Sequence, residues 1–249
     1  MKAGCSKANT EKNTAVNAEG KEKKQLGRNS PFSYVCLQCN RCCTNKIIKL
    51  NPYEVARLAA NLDISTTDFI RNCTLAHGTV LKMTGNGECI FRTMSGCRVH
   101  PDRPLVCRLY PLGRHVTAKG EESFSLLPQH PQSEGIFGHD ATVADYLKEQ
   151  GAEPYIHSVD QYLSLLARML SALHSDCTTA AGEASSTSGG APKDADQSVR
   201  TGLEWLDMDL LVSAYCSSNG LEMPVSADEK MKFHIHAIET QIDSIEKGA

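Results

Sequence analysis

Four thiols fall within eight residues of this chain, Cys36-Leu37-Gln38-Cys39-Asn40-Arg41-Cys42-Cys43, and three more follow at Cys89, Cys97 and Cys107. Cysteines three apart let one tight loop or helical turn aim several sulfurs at a single centre, as metal sites require. Eight of the eleven cysteines thus lie between positions 36 and 107, these seven and the isolated Cys73, and the later ones stand among Gly85, Gly87, Gly96, Pro101, Pro104 and Pro111, residues that constrain the backbone. Free cysteine is commonly buried one at a time, so seven ordinary core thiols in one stretch is the poorer reading. Metal ligation is the expected chemistry, with Cys36, Cys39, Cys42, Cys43, Cys89, Cys97 and Cys107 as the expected ligands.

Spacing leaves the metal open. Structural zinc takes four thiolate or imidazole ligands, so seven cysteines and His100 suffice for two tetrahedral sites. A 4Fe–4S cluster also takes four thiolates, three of which a CxxCxxC run can supply. The side chains of adjacent Cys42 and Cys43 diverge, so one is expected to serve a second metal or to support the first from outside. Arg92, Arg98, Arg103, Arg108 and Arg114 crowd the later cysteines. Guanidinium donors would stabilise an anionic thiolate centre, and as a group they suit a phosphate or carboxylate equally well. A nucleophilic Cys107 with His100 or His115 as its base explains less, because it leaves six thiols without a role.

The elements that must position these residues can be read from the rest of the chain. Its 249 residues allow one compact domain with tails or two small ones. With 41% hydrophobic and 22% charged residues it is neither collagen-like, wholly disordered nor a polytopic membrane chain. The net charge of −3 conceals a basic cysteine region, +6 over residues 29–115, and an acidic stretch, −8 over 116–199. No apolar run approaches the roughly 18 residues of a membrane span, and the N-terminus lacks the apolar core of a signal peptide. A cytoplasmic location is therefore expected, with no membrane partner. Thiols stay reduced there, which favours metal or redox chemistry over disulfides.

Residues 1–29 are polar and aperiodic, the composition of a disordered leader. Residues 176–200 are small and polar, as in a flexible linker. Between them lies a cysteine-bearing domain, 30–175, and after them a helical extension, 201–249. Asn51-Pro52 with Tyr53, Val55, Leu58 and Leu62 predicts a short helix, and Ser65 or Thr66 caps a second. Short strands are expected at Val80–Met83 and Cys89–Phe91. Thr142 and Asp145 form a capping box for a helix ending near Gly151, and apolar spacing over 159–173 predicts a longer one. Two more helices run through Leu203–Leu211 and Phe233–Ile245, with Trp205 as an anchor. The expected fold is α+β, mostly α: a small irregular metal-binding domain with cysteine-rich loops and short strands, plus C-terminal helices.

Residues 51–72 have the outline of a helix-turn-helix, but Arg57 and Arg71 face Glu54, Asp63 and Asp68, a net −1 where phosphates demand surplus positive charge. A packing hairpin is expected instead, and no nucleic-acid partner. His234 and His236, two apart in a helix, face different sides, and Cys73, Cys177 and Cys216 are scattered thiols.

The CxxCxxCC block, the Gly87-Glu88-Cys89-Ile90-Phe91 and Gly96-Cys97-Arg98-Val99-His100-Pro101-Asp102-Arg103-Pro104 blocks, Cys107-Arg108-Leu109-Tyr110-Pro111 and the later Pro131–Gly138 segment resemble the YkgJ-type cysteine-cluster family, described as a zinc- or iron-chelating domain. The resemblance covers about residues 34–170. It implies a metal-binding cysteine cluster in a mostly helical small domain, with the seven cysteines matching the family's one by one. Many relatives carry a further cysteine in a Cys-Pro-Gly element, where this chain reads His130-Pro131-Gln132. The cluster also resembles that of bacterial flagellin lysine N-methylases, an enzymatic alternative that implies a protein partner; a zinc-stabilised interaction module is a third reading.

Overall fold

The computed structural model of the chain describes residues 25–179 and 205–248; most of the expected leader and linker, with Cys5 and Leu203, falls outside them. The described chain enters as β1 (Pro31–Val35) and crosses an irregular cysteine loop to α1 (Pro52–Asn61) and α2 (Thr66–Cys73). Two small hairpins follow, β2 with β3 (Thr74–Leu75, Val80–Leu81) and β4 with β5 (Arg92–Thr93, Gly96–Cys97). Next come α3 (Leu105–Leu109), the hairpin β6–β7 (Leu112–Val116, Glu122–Leu126) and β8 (Ile136–Thr142), which returns to pair antiparallel with β1. Helices α4 (Val143–Glu149), α5 (Glu153–Thr179), α6 (Met208–Asn219) and α7 (Ala227–Gly248) complete it. The fold is α+β and mostly α, its sheets all two-stranded among the described residues. No described helix is long and apolar enough to cross a membrane.

The helix starts follow their local chemistry. The Asn51 side chain accepts the Glu54 N–H while Glu54 reaches back to the Asn51 N–H, and Pro52 presets the first turn of α1. Thr142 and Asp145 make the same reciprocal pair at α4, and Ser65 caps α2 through the Asp68 N–H. Helix α5 begins six residues before the apolar periodicity starts, because Tyr155, Ile156 and Ser158 are already buried there. The expected strand at Cys89–Phe91 is a turn, closed by the Arg92 N–H donating to the Cys89 carbonyl. Its apolar character serves packing, since Phe91 stacks on Phe69 at 6.2 Å.

Helix α1 lies between two cores. Tyr53 and Ala56 join Phe32, Phe124, Tyr146 and Tyr155, together with Met208, Val212 and Cys216 from α6. Val55, Leu58 and Ala59 face Phe69, Phe91 and Val99, against which Cys73, Cys89, Cys97 and Cys107 are half-buried. The C-terminal helices therefore pack into the main core as well as on α5, where Leu165, Leu211, Ile238 and Ile242 meet beside Trp205. Asp207 ties α6 to α2 by accepting from the hydroxyls of Thr66 and Thr67, both at 2.5 Å.

His234 is fully buried, its Nδ1 3.0 Å from the Tyr162 hydroxyl, and desolvation depresses its pKa from 6.5 to about 4. The unfolded chain thus binds a proton that the folded chain resists. This group's stabilisation is complete above pH 6.5 and is lost as pH falls toward 4, by about 3 kcal/mol. Buried Glu54, raised from 4.5 to about 6, has the opposite sign and loses its stabilisation as pH rises across that range. Comparing wild type with His234→Gln cancels Glu54: urea unfolding should show the wild-type advantage shrinking by about 3 kcal/mol between pH 7 and pH 4. A difference that stays constant across that range refutes the assignment.

Candidate metal centre

Strand β1 delivers the chain directly to Cys36, and the loop that follows bends through left-handed backbone at Gln38, Asn40 and Asn45, with one 3-10 turn over Arg41–Cys43. Asparagine tolerates that region better than most residues. The loop is clasped to the later cysteines by backbone bonds: the Cys89 N–H donates to the Cys43 carbonyl and the Asn45 N–H to the Gly87 carbonyl, each at 2.8 Å. The Asn40 amide adds a bond to the Thr93 carbonyl at 3.0 Å. Gly87 is required here: its φ is +74°, and a Cβ would stand 2.4 Å from the Asn45 side-chain oxygen.

Cys97 ends β5, and Cys107 sits in α3. Pro104 precedes that helix and supplies no side-chain cap, so the first helical N–H, at Leu105, donates instead to Glu54 Oε1 at 2.7 Å. Burial pushes Glu54 up to about 6, against the pull of the two N–H groups it accepts and of Arg108. Arg108 is itself buried. It donates to the carbonyls of Pro101, Arg103 and Gln150 and to the Tyr155 hydroxyl, with its guanidinium 4.0 Å over the Tyr155 ring.

All seven expected cysteines line one cavity of about 300 Å³, with Tyr34, Lys46, His100, Arg103 and Tyr110. Lining a cavity is not yet convergence: among the described residues no three His, Cys, Asp or Glu side chains stand close enough to hold a metal ion. Cys42 is the hub, within electrostatic reach of Cys43, Cys89, Cys97 and Cys107. Its own thiol is lowered to about 7, first by the Cys43 S–H directed at it and further by Lys46 and Arg103, against burial. Cys43 is correspondingly pushed up by the Cys42 thiolate and by burial. Burial leads the upward shifts of Cys89, Cys97 and Cys107.

The cavity wall carries one guanidinium, Arg103, that bonds no carboxylate among the described residues. Arg103 donates to the His100 carbonyl, to His100 Nδ1 and to Gln150 Oε1, so among the described residues both Arg103 and Arg108 bond only neutral acceptors. Burial lowers Arg103, and the groups that raise it again are led by Cys36 and Cys107. Arg108 has the Glu54 carboxylate within electrostatic reach, whereas half-buried Arg103 bonds no carboxylate among the described residues, and an anionic thiolate centre would balance it. The donor set is likewise the soft one that zinc and iron–sulfur centres take. The other arginines behave differently: Arg92 pairs with Glu88, and Arg114 with Glu122 at 2.5 Å and Asp160 at 2.7 Å.

His100 lines the cavity, its pKa lowered by burial and by Arg103 and Arg108. His130 does not; its Nδ1 accepts the Gln132 N–H in a local turn. His115 bonds Ser125 across β6–β7, away from Cys107, which removes it as a base. Cys73 stands outside the cavity, and Cys216 is a core thiol near the Glu222 carbonyl. Missing from the sequence reading were Lys46, Tyr34 and Tyr110 on the cavity wall and Glu54 behind it; Asn40, inside the CxxCxxCC block, carried no signal of its bond to Thr93.

No curated protein matches this chain, and neither does any solved structure. The segment that carries all seven cavity cysteines, residues 35–129, matches the model of the CxxCxxCC family, whose description reads "Putative zinc- or iron-chelating domain", a match that supports metal binding.

Proposed function

We propose that this protein binds zinc or an iron–sulfur cluster through Cys36, Cys39, Cys42, Cys43, Cys89, Cys97 and Cys107. One observation carries the proposal: seven thiols from two separate stretches of chain line a single cavity, with the half-buried Arg103 guanidinium on its wall. Zinc bound there would supply a fixed cross-link between the two stretches, and an iron–sulfur cluster a one-electron couple. Seven sulfurs exceed the four that one tetrahedral zinc or one 4Fe–4S cluster takes. Metal capture therefore includes a local closure that draws a subset of them together, with the remainder supporting the first centre or holding a second. The loop over residues 36–42 is the element best placed to make that closure, because from Cys43 onward the chain is tied to Cys89, Glu88, Gly87 and Val80.

Metal analysis of protein purified without oxygen tests this. Stoichiometric zinc in a colourless sample, or iron and sulfide in a brown one, is expected, and the Cys42→Ser, Cys107→Ser double variant should lose most of it. Fresh protein that contains neither metal and takes up neither when reduced would overturn the proposal.

Alkylation mapped by mass spectrometry gives a second check. In reduced, metal-free protein Cys42 should react with a pH midpoint near 7, ahead of Cys107, whose thiol is pushed up by desolvation. Loading with metal should suppress both reactions. A Cys42 that reacts equally with and without metal would count it out of the centre.

A further inference from the structure

His100, three positions after Cys97, has a spacing that suits an eighth ligand and, at least equally, a hydrogen-bonding partner of a ligand. Its surroundings favour the second. Nδ1 lies 3.2 Å from Arg103 Nη1, and a guanidinium can only donate, so Nδ1 is an acceptor and carries no proton. An imidazole with a bare Nδ1 keeps its single proton on Nε2, a tautomer assigned from its partners. Arg103 is held in place to enforce this, by the His100 carbonyl at 2.7 Å and by Gln150 Oε1 at 2.6 Å. The Nε2 atom is solvent-inaccessible and has no hydrogen-bond partner among the described residues. A buried donor of this kind is rare without an acceptor.

The acceptor must come from the cavity that His100 lines. Most of the neutral polar groups there are engaged elsewhere. Asn40 is bonded to Thr93 and approached by Cys43, the Tyr110 hydroxyl by the His130 N–H, and Tyr34 by Ser133. The Gln38 side-chain oxygen lies beside Gly96, which leaves it and the seven sulfurs as acceptors on the wall, and sulfur is the more numerous. We propose that His100 is not a metal ligand but donates its Nε2–H to a thiolate sulfur of the metal centre, oriented for that task by Arg103 and, behind it, Gln150.

This inference rests on the metal-binding reading and deepens it. Such outer hydrogen bonds stabilise ligand charge, and their loss costs about 10- to 100-fold in metal affinity. Zinc serves as the probe, its affinity measured by competition with a chromophoric chelator. His100→Ala should bind zinc at unchanged stoichiometry with affinity reduced about 10-fold, and His100→Gln, which keeps an N–H donor, should recover most of that loss. Nitrogen NMR of zinc-loaded wild type should show His100 protonated on Nε2, a readout that needs no variant to fold. The cadmium NMR shift of the cadmium-substituted protein should be the same in wild type and His100→Gln.

Each contrary result is distinct. A wild type that takes up no zinc removes both the centre and this role. Zinc uptake by wild type with equal affinity in His100→Ala removes this role alone. An unprotonated, metal-shifted Nε2, with a cadmium shift that moves in both variants, would make His100 a ligand and overturn the proposal.

Discussion

Two backbone hydrogen bonds, from the Cys89 N–H to the Cys43 carbonyl and from the Asn45 N–H to the Gly87 carbonyl, join the stretch that supplies four thiols to the stretch that supplies three. Without them the cavity would have walls but no common floor. Backbone bonds of this kind constrain register more than they add energy, since each nets only about 1 kcal/mol. Register is what the site needs. It sets Cys43 opposite Cys89, brings Gly87 under Asn45 where no side chain fits, and leaves Cys42 within electrostatic reach of Cys43, Cys89 and Cys97.

Behind the clasp stands a polar frame in which each buried charge has a stated duty. Glu54 belongs at once to the capping box of α1 and to the first N–H of α3, so one carboxylate ties the helix hairpin to the helix carrying Cys107. Arg108, one residue on, gathers three carbonyls and a tyrosine hydroxyl and pins the His100–Arg103 segment against α5. These groups leave positive charge beside the thiols. Cys42 is lowered first by the Cys43 S–H and then by Lys46 and Arg103, and ionised sulfur is the form that binds metal.

The thiols and the capped helices were legible because their signals are local. Asn51-Pro52 with Glu54, and Thr142 with Asp145, each fit within four residues and came out as capping boxes. The pairing of β1 with β8 was not legible. Its partners lie more than a hundred positions apart, and β8 reads Ile136-Phe137-Gly138-His139-Asp140, largely exposed and without alternation. The β6–β7 hairpin was hidden for a related reason: Arg114 and His115 interrupt its apolar pattern, and their partners, Glu122, Asp160 and Ser125, are tertiary. In the site, Arg108 read as one of five guanidiniums around the thiols and Glu54 as a helix charge, because nothing in one sequence distinguishes a solvated carboxylate from one aimed at a distant N–H. Cysteine identity carries its chemistry with it, whereas a buried ion acquires its role only from neighbours.

On the proposed function, the gathering of seven thiols around a cavity without a preformed tight site has a physical reading. Cys107 is mounted on a helix braced by Glu54, with Arg108 beside it, whereas Cys36, Cys39, Cys42 and Cys43 sit on a loop whose own hydrogen bonds are few. A rigid post facing an adjustable loop lets like-charged thiolates stay apart until a cation arrives, and then lets the loop close. Part of the binding free energy is consumed in ordering the loop, as in other sites where metal binding and local folding are one process. The clasp limits that cost by holding the loop's far end in register beforehand, so the motion left to the metal is confined to the sulfurs and the few residues between them.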